Sequence, residues 1–568
     1  MQKVLTAEQM REVDRQTTEK YGIPSILLME NAAHAAARLI TEKLGGSVAG
    51  KSFLILCGKG NNGGDGAATA RVLWTQGARI TLLLFGKVRE TEGDAKTNFE
   101  IFKKIVAADL SLEFIECKKD DFQRKFHQAF FNRDWGKYDA VVDAIFGTGL
   151  NKPLDENFAY VVKVLCDKQK WKQRKSEFLL VSLDIPSGLN ADTPELIGAA
   201  VRADVTITFT APKLANVMSP ASSFNGELYA AEIGSRFLRG KVKSKIGVTI
   251  PDRIRGWLCR TQVQTDSYKK TRGTALIVAG SRIYAGAAAL AANACFAAGA
   301  GMVSVGVPES IREIIAAKVS SEIITKSFAE TEGGAFSEDA AKEVLKASEN
   351  LSVLAIGCGL TSNEESTRKF VREVVEKRKT PVVIDADGLN ALAPFDLKGS
   401  SDLPLVLTPH VGEFQRLLGT TDNIENRIET AREFAQKHSV ILLLKGERSI
   451  VAAPDGSVAI NPTGNAGISR AGSGDTLTGI IAGFLAQVFG VEKDAEAETN
   501  LSSAFQTVVA ALYVSGLAGD IAAEKFGQRL MTASDIRDCI GEALNLIDDR
   551  ETVAVGANEK LIKDLKSC

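Results

Sequence analysis

Short apolar runs without alternation recur along the chain, separated by longer stretches of helical character. In the first half they are FLILC (53–57), RITLLLF (79–85), YDAVVDAIF (138–146), FLLVSLDI (178–185) and DVTITF (204–209). In the second half they are TALIVAG (274–280), MVSVGV (302–307), LSVLAIG (351–357), PVVIDAD (381–387), LPLVLT (403–408), VILLLKG (440–446) and SIVAAP (449–454). Such runs predict strands buried on both faces, hence parallel sheets covered by helices and an α/β class. Between the two sets lies KVKSKIGVTIPDRIRG (241–256), basic and without apolar periodicity before VTI. It places a domain boundary near residue 240, giving one domain over 1–240 and a second over 241–568. Residues 283–308 carry no charge, but Gly299 and Gly301 should stop a helix and Val303 to Val307 read as a strand. That stretch therefore predicts a buried helix plus strand, not a membrane span.

Composition narrows the class. A chain of 568 residues exceeds one ordinary domain, and 45% hydrophobic with 24% charged residues is a globular balance. Lys+Arg 69 against Asp+Glu 70 leaves a net charge of −1, so no overall field directs the chain to nucleic acid or an anionic membrane. The eight cysteines include no CxxC pair, which argues against a disulfide framework or a thiolate zinc site and for reduced cytosolic thiols. The N-terminal MQKVLTAEQMREVDRQTTEK has no apolar core and does not read as a signal peptide. The basic run DKQKWKQRKSE (167–177), with Trp171 inside it, reads as a solvated helix or loop face.

Glycine-rich segments follow several of the predicted strands. GGSVAGKS (45–52) matches a phosphate-loop pattern, but the strand comes after it instead of before it, so it reads as a chance match in a turn. GKGNNGGDG (58–66) follows a strand and opens a helix, the geometry in which backbone amides cradle a pyrophosphate. An Asn-Gly hairpin is its bland alternative. The second strand ends Phe85-Gly86-Lys87, without the acid that reads ribose in ordinary dehydrogenases. VVDAIFGTGLNKP and VSLDIPSGLNADT set Asp143, Asp184 and Ser187 at further strand ends, where open α/β sheets bind ligands. Asn62, Asp143 and Ser187 would offer hard oxygens to a cation. In the second half, NAGISRAGSGDTLTGIIAGFLA (465–486) leads AGSGD into an apolar helix. Amides of Ala471 to Gly474 would form an anion hole with Asp475 beside it as a base; a plain helix start is the alternative. TPHVGEF (408–414) puts His410 in a loop after a strand, KGERSIV (445–451) either binds an adenylate phosphate or is a charged hairpin, and IGCGL (356–360) and DADGLN (385–390) are further strand ends.

Taken together, these motifs resemble the NAD(P)H-hydrate repair enzymes, in which an NAD(P)HX epimerase domain is fused to an ADP- or ATP-dependent NAD(P)HX dehydratase domain of the ribokinase-like superfamily. GNNGGDG, VVDAIFGTGL and DIPSGLNADT carry the first likeness; DADGLN, TPHVGE, KGERS and NAGISRAGSGDTLTGII carry the second. The resemblance implies a Rossmann-like doubly wound N-terminal sheet and a ribokinase-like C-terminal α/β domain. It implies epimerase substrate contacts at Asn61, Asn62, Gly63, Gly64 and Asp65, at Gly147, Thr148, Gly149, Leu150, Asn151, Lys152 and Pro153, and at Asp184, which doubles as a catalytic carboxylate. Potassium would lie on Asn62, Asp143 and Ser187. Hydrate binding in the second domain falls on Ala287, Gly359, His410 and Asp475, the last as catalytic base, and the nucleotide on Lys445, Gly446, Glu447, Arg448, Ser449 and Gly474. Magnesium, ADP or ATP, NAD(P)H hydrates as substrates and a cytoplasmic homo-oligomer belong to the same expectation, with no nucleic-acid or membrane partner. Two departures stand out: Val411 where the family has Pro, and Ile468-Ser469-Arg470 where it has Met-Ala-Thr or similar, which puts a positive charge near the phosphoryl site. A vitamin or sugar kinase, and a non-catalytic dinucleotide-binding scaffold in the N-terminal half, are the rival readings.

Overall fold

The computed structural model describes residues 1–109, 111–118, 121–131, 138–167, 178–235, 242–265, 267–491, 497–548 and 563–565. The boundary expected near residue 240 and all of the basic run 167–177 except Asp167 lie outside the described residues. Two compact units are present, one built on Gln2–Ser244 and one on Lys245–Gly556.

In the first unit β1 (Ser52–Cys57), β2 (Arg79–Leu84), β3 (Leu112–Glu116), β4 (Ala140–Ala144), β5 (Leu179–Leu183), β6 (Val205–Phe209) and β7 (Glu227–Ala231) form a parallel sheet in the order β7-β6-β5-β4-β1-β2-β3. Strand β1 pairs β2 on one side and β4 on the other, so the chain reverses its direction of travel across the sheet at β1 and β4. Six helices matter here: α1 (Ala7–Glu19), α2 (Ser25–Lys43), α3 (Asn61–Thr75), α4 (Gly93–Val106), α5 (Phe122–Phe131) and α6 (Glu156–Cys166). Phe53, Ile55 and Cys57 of β1 face a core shared with α2, α3 and α4, while Leu54 and Leu56 face one shared with α5 and α6. Both faces are covered, which is why FLILC shows no alternation.

The second unit contains β8 (Ile246–Val248), β9 (Thr274–Val278), β10 (Met302–Pro308), β11 (Ile324–Phe328), β12 (Val353–Ile356), β13 (Val382–Ile384), β14 (Leu405–Leu407), β15 (Ile441–Leu444), β16 (Ile450–Ala452) and β17 (Val458–Ile460). Their order is β8-β17-β16-β15-β14-β13-β12-β9-β10-β11. The run from β9 to β15 pairs in parallel, and β16 lies antiparallel to both its neighbours. The mixed α/β class with parallel sheets expected from the apolar runs is what the chain forms.

Helices α7 (Ala285–Ala297), α8 (Val411–Leu418), α9 (Arg427–His438), α10 (Ser473–Val491) and α11 (Ala497–Phe526) complete the parts used below. The uncharged stretch 283–308 is α7 followed by β10, as its glycines suggested. Ala-rich α7 lies against α10, and a Cβ on Gly479 or Gly483 would meet Ala291 O at 2.2 Å or Cys295 O at 2.6 Å. Small residues on both helices let the two backbones touch, and α10 is thereby held over the sheet. One helix among the described residues is long and apolar enough to cross a membrane, Leu501–Phe526, and 78% of its most apolar window is buried in the protein.

Candidate active sites

The N-terminal site sits outside the carboxyl ends of β1, β4 and β5, at the point where strand order reverses, the place open α/β sheets offer a ligand. After β1 the chain turns directly into α3. A Cβ on Gly58 would lie 2.0 Å from Ile145 O, and one on Gly63 would lie 1.9 Å from Gly58 O. These glycines permit the close approach, and the hairpin alternative falls away. By contrast, Lys51 and Ser52 of the phosphate-loop look-alike lead into β1, as its reading as chance requires.

A cavity of about 1020 Å3 opens there. Asn61, Asn62, Asp65, Gly147, Thr148, Gly149, Leu150, Asn151, Lys152 and Asp184 line it; Gly63, Gly64, Pro153, Asp143 and Ser187 are not among its lining residues. Asn62 is buried, and neither of its amide atoms has a hydrogen-bond partner among the described residues. Asp143 is fully buried. Its Oδ2 accepts from Ser182 Oγ (2.8 Å) and Ser187 N (2.9 Å), and its Oδ1 accepts from Ser187 Oγ (2.5 Å) and Ile145 N (3.3 Å). Burial raises its pKa, with the Ser187 hydrogen bonds working the other way. Asp184 has φ +65°, left-handed backbone that Asp tolerates better than most residues. Its Oδ1 accepts from Lys213 Nζ, and Lys213 is completely buried.

Among the cavity residues that carry no motif in the sequence are Asp14 of α1 and Lys213. Burial pushes the Asp14 carboxyl up to about 6, against the pull of Lys213 and with help from the charge of Asp184. Asp65 is pushed well above the usual carboxylate range by burial, then by Asp184 and Asp14. A lysine four residues beyond a wholly buried strand was the one available signal for Lys213. Asp14 had none, because α1 reaches the site only through tertiary packing.

The second unit gathers its candidates at the carboxyl ends of β12 to β15 and the start of α10. Lys445 Nζ donates to Asp385 Oδ1 (2.7 Å), Thr478 Oγ1 to Asp385 Oδ2 (2.7 Å), and Ala386 N to Asp385 Oδ1 (2.9 Å). Burial works against the Lys445 ammonium, but Asp385 and Glu413 outweigh it and raise its pKa. Burial also pushes Asp475 up to about 6, the Cys358 thiol opposing and the Asp385 charge adding. A Cβ on Gly474 would lie 3.6 Å from Lys445 Nζ, so lysine, glycine and Asp475 share the helix start. Of the expected anion-hole amides, Ser473 N already donates to Arg470 O (3.2 Å).

Gly359 and Ala287 come together: a Cβ on Gly359 would meet Tyr284 Cβ at 2.8 Å and Ala287 Cβ at 3.0 Å. Expected in a loop, His410 instead caps α8, its Nδ1 accepting from Gly412 N (3.0 Å) and Glu413 N (3.3 Å). Those amides assign the proton to Nε2 in the neutral ring. Val411 takes the first helical position, where proline is favoured but any residue fits. Lys445 to Ser449 form the turn from β15 into β16. Arg448 Nη1 donates to Pro462 O (2.7 Å), and Ser449 Oγ to Gly446 O (3.1 Å). Arg427, which the sequence did not mark, packs over Gly446, where a Cβ would lie 2.3 Å from its Nη2. Its buried Nε and Nη2 have no hydrogen-bond partner among the described residues. Arg470 Nη1 donates to Leu530 O (2.9 Å) and Met531 O (3.0 Å). It sits at an exposed edge, so carbonyls of the following segment are its nearest acceptors.

Two family models match the chain. One is described as NAD(P)H-hydrate dehydratase and covers residues 275–542; the other, YjeF-related protein N-terminus, covers 25–215. A relative from Moorella thermoacetica named bifunctional NAD(P)H-hydrate repair enzyme Nnr is 40% identical over 563 residues, 97% of this chain and 98% of its own length. One of the same name from Thermofilum pendens is 34% identical over 560 residues, 97% of this chain and 98% of its own. A crystal structure described as the ADP/ATP-dependent NAD(P)H-hydrate dehydratase of Bacillus subtilis, co-crystallised with ATP and Mg2+, is 29% identical with a TM-score of 0.44, covering 53% of this chain and 98% of that one. With both halves matched and such identity sustained over nearly the full length, the chain belongs to the family of bifunctional NAD(P)H-hydrate repair enzymes.

Proposed function

We propose that the chain repairs hydrated NADH and NADPH in two steps. The unit built on Gln2–Ser244 interconverts the R and S hydrates, and the unit built on Lys245–Gly556 returns the S hydrate to NAD(P)H with ADP or ATP as phosphoryl donor. The observation that supports this reading is that each unit has a mostly buried carboxylate–lysine pair, Asp184–Lys213 and Asp385–Lys445, at strand ends of the kind where open α/β sheets bind ligands.

Dehydration needs a better leaving group than hydroxide, since water has a pKa of about 15.7 while phosphate has a second pKa near ~6. Asp475 takes the proton from the substrate hydroxyl, and that oxygen attacks the terminal phosphoryl group of the nucleotide. The glycine-rich start of α10 and Lys445 stabilise the charge on the transferring group. The ring nitrogen pair then expels phosphate and restores the reduced ring. A carboxyl with a pKa near 6 is suited to taking a proton at neutral pH. His410 Nε2 and the Gly359–Ala287 surface orient the hydrate, and the Lys445–Ser449 turn with Gly474 holds the nucleotide.

In the first unit Asp184 exchanges a proton at the C6 hydroxyl, while Asn61–Asp65 and Gly147–Pro153 embrace the dinucleotide. A potassium ion fits the residues of this site. The partners of buried Asp143 among the described residues are hydroxyls and amides, not cations, and Asn62 keeps a buried amide oxygen unpaired. Asn62, Asp143 and Ser187 would hold the ion, whose charge would offset the buried carboxylate. Magnesium would arrive with the nucleotide phosphates, which it favours over a dedicated protein cage. The seven described cysteines are free, which suits a reducing cytoplasm.

The test is direct. The protein is incubated with mixed R and S hydrates of NADH plus ADP or ATP, and reduced-nicotinamide absorbance is followed. Recovery of both epimers is expected. A phosphorylated product that persists would identify a small-molecule kinase instead.

A further inference from the structure

The Asp184–Lys213 pair in the N-terminal cavity offers no hydrogen bond to the Asp14 carboxyl beside it. Lys213 has three N–H donors, and all three are committed: to Asp184 Oδ1, to Thr208 Oγ1 (2.9 Å) and to Phe209 O (3.2 Å). None remains for Asp14. The Thr6–Gln9 capping box starts α1 and sets its second turn beside the cavity, where Asp14 joins the lining. Asp14 Oδ1 is buried and has no hydrogen-bond partner among the described residues. A buried polar oxygen left unpaired is unfavourable by about 1–3 kcal/mol unless a ligand meets it. The same cavity holds Asn62, 8% exposed, with both amide atoms equally unpaired. Two elements distant in sequence thus present unsatisfied polar atoms to one space.

We propose that Asp14 is the second proton-transfer residue of the N-terminal site, giving a proton to the departing hydroxyl of the hydrated ring while Asp184 takes one from the water that returns. The inference rests on the reading of this unit as an epimerase. Inverting a carbinol carbon requires its oxygen to leave one face and come back on the other, so an acid and a base are both needed. Two carboxyls in unlike surroundings supply them: one is ion-paired with Lys213, the other has no cation bonded to it. The C–O bond breaks as the Asp14 proton joins the leaving oxygen. Water departs, and the ring nitrogen pair forms a C=N bond. Water then adds to that carbon from the opposite face, the C=N pair returns to nitrogen, and Asp184 accepts the proton released. Nothing is oxidised or reduced, and one water leaves for each that enters. Reverse conversion uses the carboxyls in exchanged roles, and solvent restores the proton between turnovers in one direction.

The charged groups around Asp14 are Arg11 on its own helix, Asp65 on α3, Asp184 after β5 and Lys213 after β6. Burial, its largest influence, pushes the Asp14 carboxyl up to about 6. As the acid in R-to-S conversion it must be protonated, so kcat should fall as pH rises through about 6. The experiment follows R-hydrate consumption by the full chain, using its own dehydratase unit and excess nucleotide as the coupling reaction, across pH 5 to 8. For Asp14→Asn, kcat should fall by ~10²-fold or more, with KM within about threefold and the falling limb gone. S-hydrate dehydration should stay at the wild-type rate, and R-hydrate binding, followed by ligand-induced thermal shift, should be kept, showing a folded N-terminal unit. An unchanged kcat, or a loss confined to KM, overturns the proposal. If Asp14→Asn does not fold, Asp14→Glu decides: the falling limb should move to a new pH, and a limb that stays in place overturns the assignment. A wild-type chain that consumes R no faster than spontaneous epimerisation defeats the epimerase reading itself, a result distinct from an active Asp14→Asn variant.

Discussion

Two influences oppose each other at Asp475. The start of a helix favours a charged carboxylate, whereas burial favours the neutral acid and leads, raising the carboxyl to about 6. The base must be unprotonated to take the hydroxyl proton. Dehydration should therefore fall about tenfold per pH unit below roughly pH 6 and level off above it, read as initial rates on S hydrate. Asp475→Asn keeps the size but cannot accept a proton. We expect dehydration to drop by ~10²–10⁴-fold, with nucleotide binding and epimerisation intact. Dehydration at the wild-type rate would show that the residue only complements the helix end. The N-terminal carboxylate calls for a parallel measurement. Asp184→Asn should lose epimerisation by a similar factor while hydrate binding, followed by ligand-induced thermal shift, is kept. Full epimerisation in that variant would reduce Asp184 to a ligand contact.

The elements explain why these side chains are held in place. Non-glycine residues with left-handed backbone cluster at strand ends near the two sites: Asp184 (φ +65°), Thr361 (φ +65°) and Ala386 (φ +50°). Such conformations are unfavourable by roughly 1–3 kcal/mol each and persist where surrounding packing dictates them. Helix α10 brings Asp475 and the glycine-rich turn to the second site, and its position depends on contact with α7. On an exposed helix Gly→Ala would stabilise by about 1 kcal/mol. At Gly479 the added Cβ would lie 2.2 Å from Ala291 O, so the helices must separate. Overpacking of about 1–3 kcal/mol then wins. Gly479→Ala should lower the melting temperature and reduce dehydration without changing epimerisation. A more stable, fully active variant would show that the α7–α10 contact is not what positions Asp475.

At the scale of the molecule, each unit has its own sheet, its own core and its own strand-end site. A fragment from Lys245 to Gly556 should consume only the S hydrate, with R disappearing no faster than it epimerises spontaneously. Enzymatic consumption of both epimers at equal rate by that fragment would defeat the division of labour. Adding the Gln2–Ser244 fragment should restore R consumption, observed as a biphasic absorbance trace becoming single-phase.

The primary structure by itself determined the buried strands and the loops that follow them. An uninterrupted run such as FLILC or ILLL is a local property of the chain, and so is a glycine turn where no Cβ fits. Strands Leu112–Glu116 and Ile324–Phe328 escaped that reading because their residues are mostly part-buried or exposed and carry charges among the apolar ones, and the mostly buried Glu227–Ala231 and Val458–Ile460 escaped it because they make only short apolar runs with alanine among them. GNNGGDG, DIPSGLN and AGSGD were legible because chemistry and backbone constraint fall on consecutive residues. Partnerships between distant residues were not. Asp14 and Lys213 stand 199 positions apart and meet only when α1 packs against the carboxyl end of the sheet. Likewise the proton affinity of Asp475 follows from burial beside Asp385 and Cys358. The partners of Arg470 were hidden for the same reason, since the carbonyls that its guanidinium meets lie 60 and 61 residues away. Folding alone brings groups from separate segments together, and the burial it imposes raises the proton affinity of Asp14, Asp65 and Asp475.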